Sequence, residues 1–131
     1  MILETSYLVD LLLGDPKAAK KARELVVRGE VIRIPTPAAF ELWEGVERSD
    51  QGKAEAAKVR EFLDAHEIIP FNEGDAREAG RISGRLVKQG KTPGTVDVQI
   101  AGMTKARGET LLTADEGLLA LVSEIRVERY R

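Results

Sequence analysis

The chain contains no cysteine. Disulfides and thiolate metal sites are therefore excluded, and a reducing compartment suits the composition. It has a single histidine, His66. Acid–base catalysis by a histidine pair and a multi-histidine zinc site are excluded with it. No apolar run approaches the roughly 18 residues of a spanning helix, and the first is interrupted at Glu4. No basic leader precedes a long apolar stretch, so no secretory signal is expected. The expectation is a soluble, cytoplasmic protein without a membrane segment. Neither sign of charge dominates: 20 Lys and Arg face 22 Asp and Glu, a net charge of −2. That is no footprint for a non-specific nucleic-acid binder. Any polynucleotide contact needs local basic patches, or metal ions at an acidic cleft. Linkers rich in Gly, Pro or Ser, internal repeats and low-complexity tracts are also missing.

What is present is an alternation of short apolar runs and longer helical patterns. With 131 residues the chain reads as one domain, 1–131, able to bury a sizeable core. Strands are expected at Met1–Leu3, Val31–Ile34, Ile68–Ile69, Thr110–Leu112 and Ile125–Val127. Between them, Tyr7, Leu8, Leu11 and Leu12 recur at helical spacing. Asp15-Pro16 has the chemistry of a helix start, followed by a stripe of Ala18, Ala22, Leu25 and Val26 that Gly29 ends. Thr36-Pro37 opens a helix with Phe40, Trp43 and Val46 on one face. A fourth helix carries Ala54, Ala57 and Phe62. A fifth uses Ala76, Ala79, Ile82, Leu86 and Val87, and a sixth turns Val96, Ile100 and Met103 or Thr104 inward. Leu118, Leu119, Leu121 and Val122 suggest a last short helix. The arginine-rich end, with Arg126, Arg129 and Arg131, is expected to fray. Strands separated by helical stretches imply an α/β domain with a central parallel sheet of four or five short strands and helices on both faces.

Four carboxylates stand out, each beside a different apolar segment: Glu4, Glu41, Asp97 and Asp115. Glu4 and Asp115 follow short apolar runs, and open α/β folds place their chemistry at the carboxyl ends of strands. Each acid has a plainer reading. Glu4 and Asp97 suit the positive end of a helix dipole, Glu41 suits a solvated helix face, and Asp115 suits an N-cap. Most of the other acids belong to solvated faces, and Asp15, Asp50 and Asp75 to helix starts. Together, however, four acids in one pocket repel one another unless a cation sits among them. Hard cations such as Mg²⁺ or Mn²⁺ take oxygen ligands and need one or two carboxylates each. The combination points to metal-assisted hydrolysis.

At these four places the chain resembles the PIN-domain nucleases, in particular the VapC-type toxin ribonucleases. The opening Ile-Leu-Glu-Thr-Ser-x-Leu-x-Asp-Leu-Leu runs from Ile2 to Leu12. An acid–leucine pair lies before a glycine at Glu41-Leu42 and Gly45. Asp97 to Ala101 supplies Asp-x-x-Ile-Ala, and Thr113-Ala114-Asp115 supplies Thr-x-Asp. A short small-residue helix ending at Arg107-Gly108 also fits. The resemblance implies a PIN-like three-layer α/β/α fold and a homodimer. It implies Mg²⁺- or Mn²⁺-dependent RNA cleavage leaving a 5′-phosphate and a 3′-hydroxyl, and a VapB-type antitoxin partner lying across the acidic cleft. It places Glu4, Glu41, Asp97 and Asp115 at the metal-site and catalytic positions, and Ser6 and Thr113 at the supporting hydroxyl positions. The family's first acid is normally aspartate. Here the extra methylene of Glu4 moves the carboxylate by about 1.5 Å, which octahedral Mg²⁺ tolerates poorly. Glu4→Asp is thus expected to raise cleavage.

The remaining candidates read as structural. Asp10 accompanies the opening motif but lies too far along it to join Glu4. His66 suits the end of a helix, and Trp43 suits core or interface. Arg81, Arg85, Lys88 and Lys91 form a basic run that is a solvated face or, alternatively, a hold on RNA backbone. Two competing functions are set against the nuclease. One is a PIN-like domain, catalytically weakened by Glu4, that only binds a protein or RNA. The other is a phosphoryl-accepting α/β domain, for which the sequence offers no convincing lysine and aspartate set.

Overall fold

The computed structural model describes residues 1–121 and 123–131, with the side chains of residues 119–122 outside that description. In chain order the elements are β1 (Ile2–Leu3), α1 (Thr5–Leu12), α2 (Pro16–Val27), β2 (Arg33–Pro35), α3 (Thr36–Arg48), α4 (Gly52–Asp64), β3 (Glu67–Ile69), α5 (Glu73–Lys88), α6 (Thr95–Ala106), β4 (Thr110–Leu112), α7 (Glu116–Leu121) and β5 (Arg126–Glu128). The helix starts follow local chemistry. Asp15 accepts from the Ala18 amide at 2.9 Å, with Pro16 in the first turn. Asn72 and Asp75 form a reciprocal capping box at α5. Gly29 and Gly90 close α2 and α5 with φ of +69° and +79°, a conformation that costs glycine little.

The five strands form one parallel sheet in the order β3-β2-β1-β4-β5. Successive connections run outward from β1 to β2 and β3, and the chain then returns past β1 to β4 and β5. With right-handed crossovers, that reversal sets helices on both faces of the sheet. The reversal also opens a crevice beyond the carboxyl ends of β1 and β4, where no crossover covers the sheet. Ile2, Leu3, Ile34, Leu111 and Leu112, all at most 2% exposed, line the sheet core with Tyr7, Leu8, Ile100 and Met103. Helix α6 packs tightly on α5. A Cβ at Gly102 would sit 2.5 Å from the Ala79 amide nitrogen, so this crossing requires glycine.

Several helical faces differ from the sequence expectation. In α2, Leu25 is buried but Val26 is 77% exposed. In α4, Ala54 and Ala57 face solvent, Phe62 is half-buried, and Val59 and Leu63 fill the core. In α3, Phe40 is exposed while Ala38, Ala39 and Leu42 are buried; Trp43 packs at the core edge with Arg60 over its ring. In α5, Ala76 and Val87 are exposed, and Asp75 takes part of the inward face beside Ala79, Ile82 and Leu86. Alanine-rich helices carry a weak face signal, and the larger side chains decide the rotation. Of the last stripe, Leu118 is buried, whereas Leu119, Leu121 and Val122 lie outside the described side chains. The C-terminal segment does not fray. Arg126 lies in β5, and Tyr130 is 7% exposed, packed edge-on against Tyr7. Its hydroxyl donates to Asp10 at 2.6 Å, and Arg131 pairs with the same carboxylate at 3.0 Å. Asp10 thus anchors the end of the chain.

Candidate metal centre

The register of the two central strands sets the site. Leu3 pairs with Leu112, so Glu4 and Thr113 are the next residues along on neighbouring strands. The Glu4 amide still donates to the Leu112 carbonyl at 3.2 Å. Glu4 occupies the N-cap position of α1 without capping it. Its side chain turns into the crevice instead and is 4% exposed. There the Thr113 hydroxyl donates to Oε2 at 3.0 Å, and the Ser6 hydroxyl donates to the same oxygen. Both donors act on one oxygen, which leaves Oε1 for another partner.

Thr113 also accepts from the Asp115 amide at 3.0 Å. One hydroxyl therefore ties two acids together. Asp115 caps α7, accepting on Oδ1 from the amides of Gly117 at 2.9 Å and Leu118 at 3.2 Å. Asp97 enters from the first turn of α6, whose N-cap, Gly94, has no side chain to cap with. One carboxylate oxygen from each of Glu4, Asp97 and Asp115 lies within 4.8 Å of the other two. Glu41 is not part of that triad. It stands beside it on α3, where its Oε1 accepts from the Thr5 hydroxyl.

The electrostatics are those of like charges held together. No ion pair among the described residues involves any of the four acids. Asp97 is pushed up to about 6 by burial first, then by the charges of Asp115, Glu4 and Glu41. Every charge acting on it is another acid. Oxygens that share an octahedral ion at about 2.1 Å lie roughly 3–4 Å apart. Small side-chain rotations bring the triad into that range, so the donor set fits a hard divalent ion. Glu4 reaches the triad with its longer side chain. The geometry thus offers no support for the expectation that shortening it to aspartate improves the site.

Sequence reasoning named four acids for the metal site; three converge and Glu41 stands at the edge, while Ser6 and Thr113 bond Glu4 as the supporting hydroxyls. It did not single out Thr5 as the partner of Glu41. The signal was the adjacent Thr5-Ser6 pair at a strand-to-helix turn, where consecutive side chains point to different acids. His66 packs at its own helix end, with Nδ1 2.7 Å from the Phe62 carbonyl and its ring against that of Phe62. Of the basic run, Arg81 pairs with Glu78 and Arg85 with Glu124, whereas Lys88 and Lys91 make no ion pair among the described residues.

A parallel α/β sheet with three carboxylates gathered at its switch point defines the class: an α/β domain whose acidic triad has the spacing of a metal site. The PIN domain family model matches residues 1–123. "Ribonuclease VapC19" of Mycobacterium tuberculosis is 32% identical over 114 residues, 87% of each chain. The "tRNA(fMet)-specific endonuclease VapC" of Shigella flexneri is 24% identical over 129 residues, 98% of this chain and 96% of the relative. Among solved structures, VapBC2 from Rickettsia felis, bound to a promoter DNA fragment, superposes with a TM-score of 0.88 at 25% identity, covering 99% of this chain and 98% of that one. The chain belongs to the PIN-domain family, within its VapC-type toxin ribonucleases. Among the described residues, no helix is long and apolar enough to cross a membrane.

Proposed function

We propose that this protein is a divalent-metal-dependent endoribonuclease and the toxin of a toxin–antitoxin pair. The observation that carries this reading is the convergence of Glu4, Asp97 and Asp115 within 4.8 Å with no cationic side chain among them. In this reading those three acids hold Mg²⁺ or Mn²⁺, and Glu41 serves the same pocket from its edge. When bound, the ion lowers the pKa of a water and offsets the charge of a phosphodiester. The chain's own residues do the positioning. Ser6 and Thr113 fix one oxygen of Glu4 and turn the other inward. Thr113 couples that carboxylate to the backbone of Asp115, and Thr5 holds Glu41.

The same reading takes residues 1–131 as one domain, which the single sheet and continuous core support. It includes a VapB-type antitoxin and a cytoplasmic homodimer. Solved relatives are themselves toxin–antitoxin complexes. An apolar groove of about 210 Å³ between α1, α3 and α4, lined by Val9, Leu12, Leu42, Val46 and Val59, opens beside Glu41 and suits an apolar partner segment. The test is cleavage of RNA in Mn²⁺ by the purified chain and by Asp97→Ala. Wild-type cleavage sensitive to EDTA, with activity at background in a normally folded variant, is expected. Undiminished cleavage by Asp97→Ala rejects the assignment. Copurification with the product of a short upstream reading frame tests the antitoxin.

A further inference from the structure

The acidic pocket repels the polyanion it is proposed to cut, and the whole chain is net negative. Affinity for RNA therefore has to come from cations placed near the pocket but outside it. A surface built from α2 and the C-terminal segment meets that condition. Lys17, Lys20 and Lys21 lie at i, i+3 and i+4 on one face of α2. With Arg129, Tyr130 and Arg131 of the C-terminal segment, and Glu24 as the one acid, they line a groove of about 300 Å³.

The groove is held next to the acids by contacts already described. Arg131 and Tyr130 both bind Asp10, two helical turns along α1 from Glu4. Six residues of helix span about 9 Å, on the order of two nucleotide steps. Arg129 pairs with Glu116, the neighbour of Asp115. Lys21 is committed to Glu128 and Glu24 at 3.0 and 3.3 Å. Lys17 and Lys20 are exposed and make no ion pair among the described residues. The α5 arginines differ, since Arg77, Arg81 and Arg85 each face a glutamate. We propose that the α2–C-terminal groove holds the phosphates of single-stranded RNA on one side of the scissile bond, with Lys17 and Lys20 as its uncommitted cations. The choice of RNA rests on the nuclease reading above.

The experiment is fluorescence anisotropy with a labelled single-stranded 12-nucleotide RNA in EDTA, from 50 to 300 mM KCl. It compares the full-length chain with K17Q/K20Q, K17R/K20R and, on α5, R77Q/R81Q. Losing two phosphate contacts lowers the slope of log affinity against log salt by about 1.4. K17Q/K20Q should show that change and bind about 5–10-fold more weakly at low salt. K17R/K20R should bind like the wild type, and R77Q/R81Q should change less than twofold. An unchanged slope in K17Q/K20Q, or an equal loss in R77Q/R81Q, overturns the proposal. Because binding is read without metal, a wild type that binds RNA through these lysines but never cleaves it would sink the nuclease reading alone.

Discussion

The two ends of the central strands treat acids in opposite ways. At the amino end, Glu109 precedes β4 and sits between the Met1 amino group, at 2.6 Å, and Arg33 of β2. Burial pushes its carboxyl up, but hydrogen bonds from both cations outweigh this and hold it below the usual range. At the carboxyl end of the same strands, Glu4, Asp97 and Asp115 make no ion pair among the described residues; Glu4 and Asp115 bond hydroxyls and amides. The sheet is the same, and both groups are carboxylates at least partly removed from solvent. The difference is whether the protein supplies the counter-charge. Where it does, the acid is a staple; where it does not, the acids are left to repel one another.

Breaking the hydroxyl link at the carboxyl end has the largest expected effect. Thr113→Val removes the bond to Glu4 Oε2 and the acceptor for the Asp115 amide. Mn²⁺ affinity, read by calorimetry, should fall about 10–100-fold, as for other groups that orient metal ligands. Next comes Glu4→Asp. Retracting the carboxylate by about 1.5 Å pulls it off the Ser6 and Thr113 hydroxyls, and affinity should fall about tenfold. Tighter binding would mean that the glutamate is a handicap after all.

Smaller effects carry the comparison's sign. Neutralising an acid should destabilise one end and stabilise the other. Glu109→Gln removes the charge that Arg33 and the Met1 amino group share, leaving Glu67 and the Val31 carbonyl, and should cost about 1 kcal/mol in urea unfolding, reduced by the partial exposure of the site. Asp97→Asn in metal-free protein should instead gain about 1 kcal/mol at pH 7, since it relieves repulsion at a half-buried, solvent-screened acid. The pH dependence follows from the same shift. The folded pKa of Asp97, about 6, lies above its ordinary 3.8. The folded state thus holds this proton more tightly than the unfolded chain does. The stability it contributes is full below about pH 4 and is lost as pH rises through 6. Metal-free wild type should show that falling limb in urea midpoints, and Asp97→Asn should lack it. Equal limbs would place the repulsion elsewhere.

How much of this was legible in sequence depended on the kind of information required. Thr110–Leu112 was readable as a strand because three apolar or β-branched residues stand between Gly108 and a Thr-x-Asp turn. The Asp15-Pro16 start was readable because capping is local. Strand order was not, since pairing of β1 with β4 spans over a hundred residues and leaves no local mark. Yet that pairing is what puts Glu4 beside Thr113. Helix rotation was missed at Ala54 and Ala57 for another reason: small side chains bury little area, so Val59 and Leu63 set the inward face. The acids were recognisable as a set only by their motifs. The motif at Glu41 did not say that it would stand at the edge of the triad, held by Thr5, and nothing near Tyr130 announced its bond to Asp10.

The most direct test is Mn²⁺ binding to the metal-free chain at pH 7, followed by electron paramagnetic resonance, with Asp97→Asn/Asp115→Asn alongside. The account predicts that the wild type takes up one or two ions per chain and quenches the free Mn²⁺ signal, while the double variant binds at least about a hundredfold more weakly. Equal Mn²⁺ uptake by the two proteins would contradict it, because the ion would then be held by something other than the acids at the end of β1 and β4.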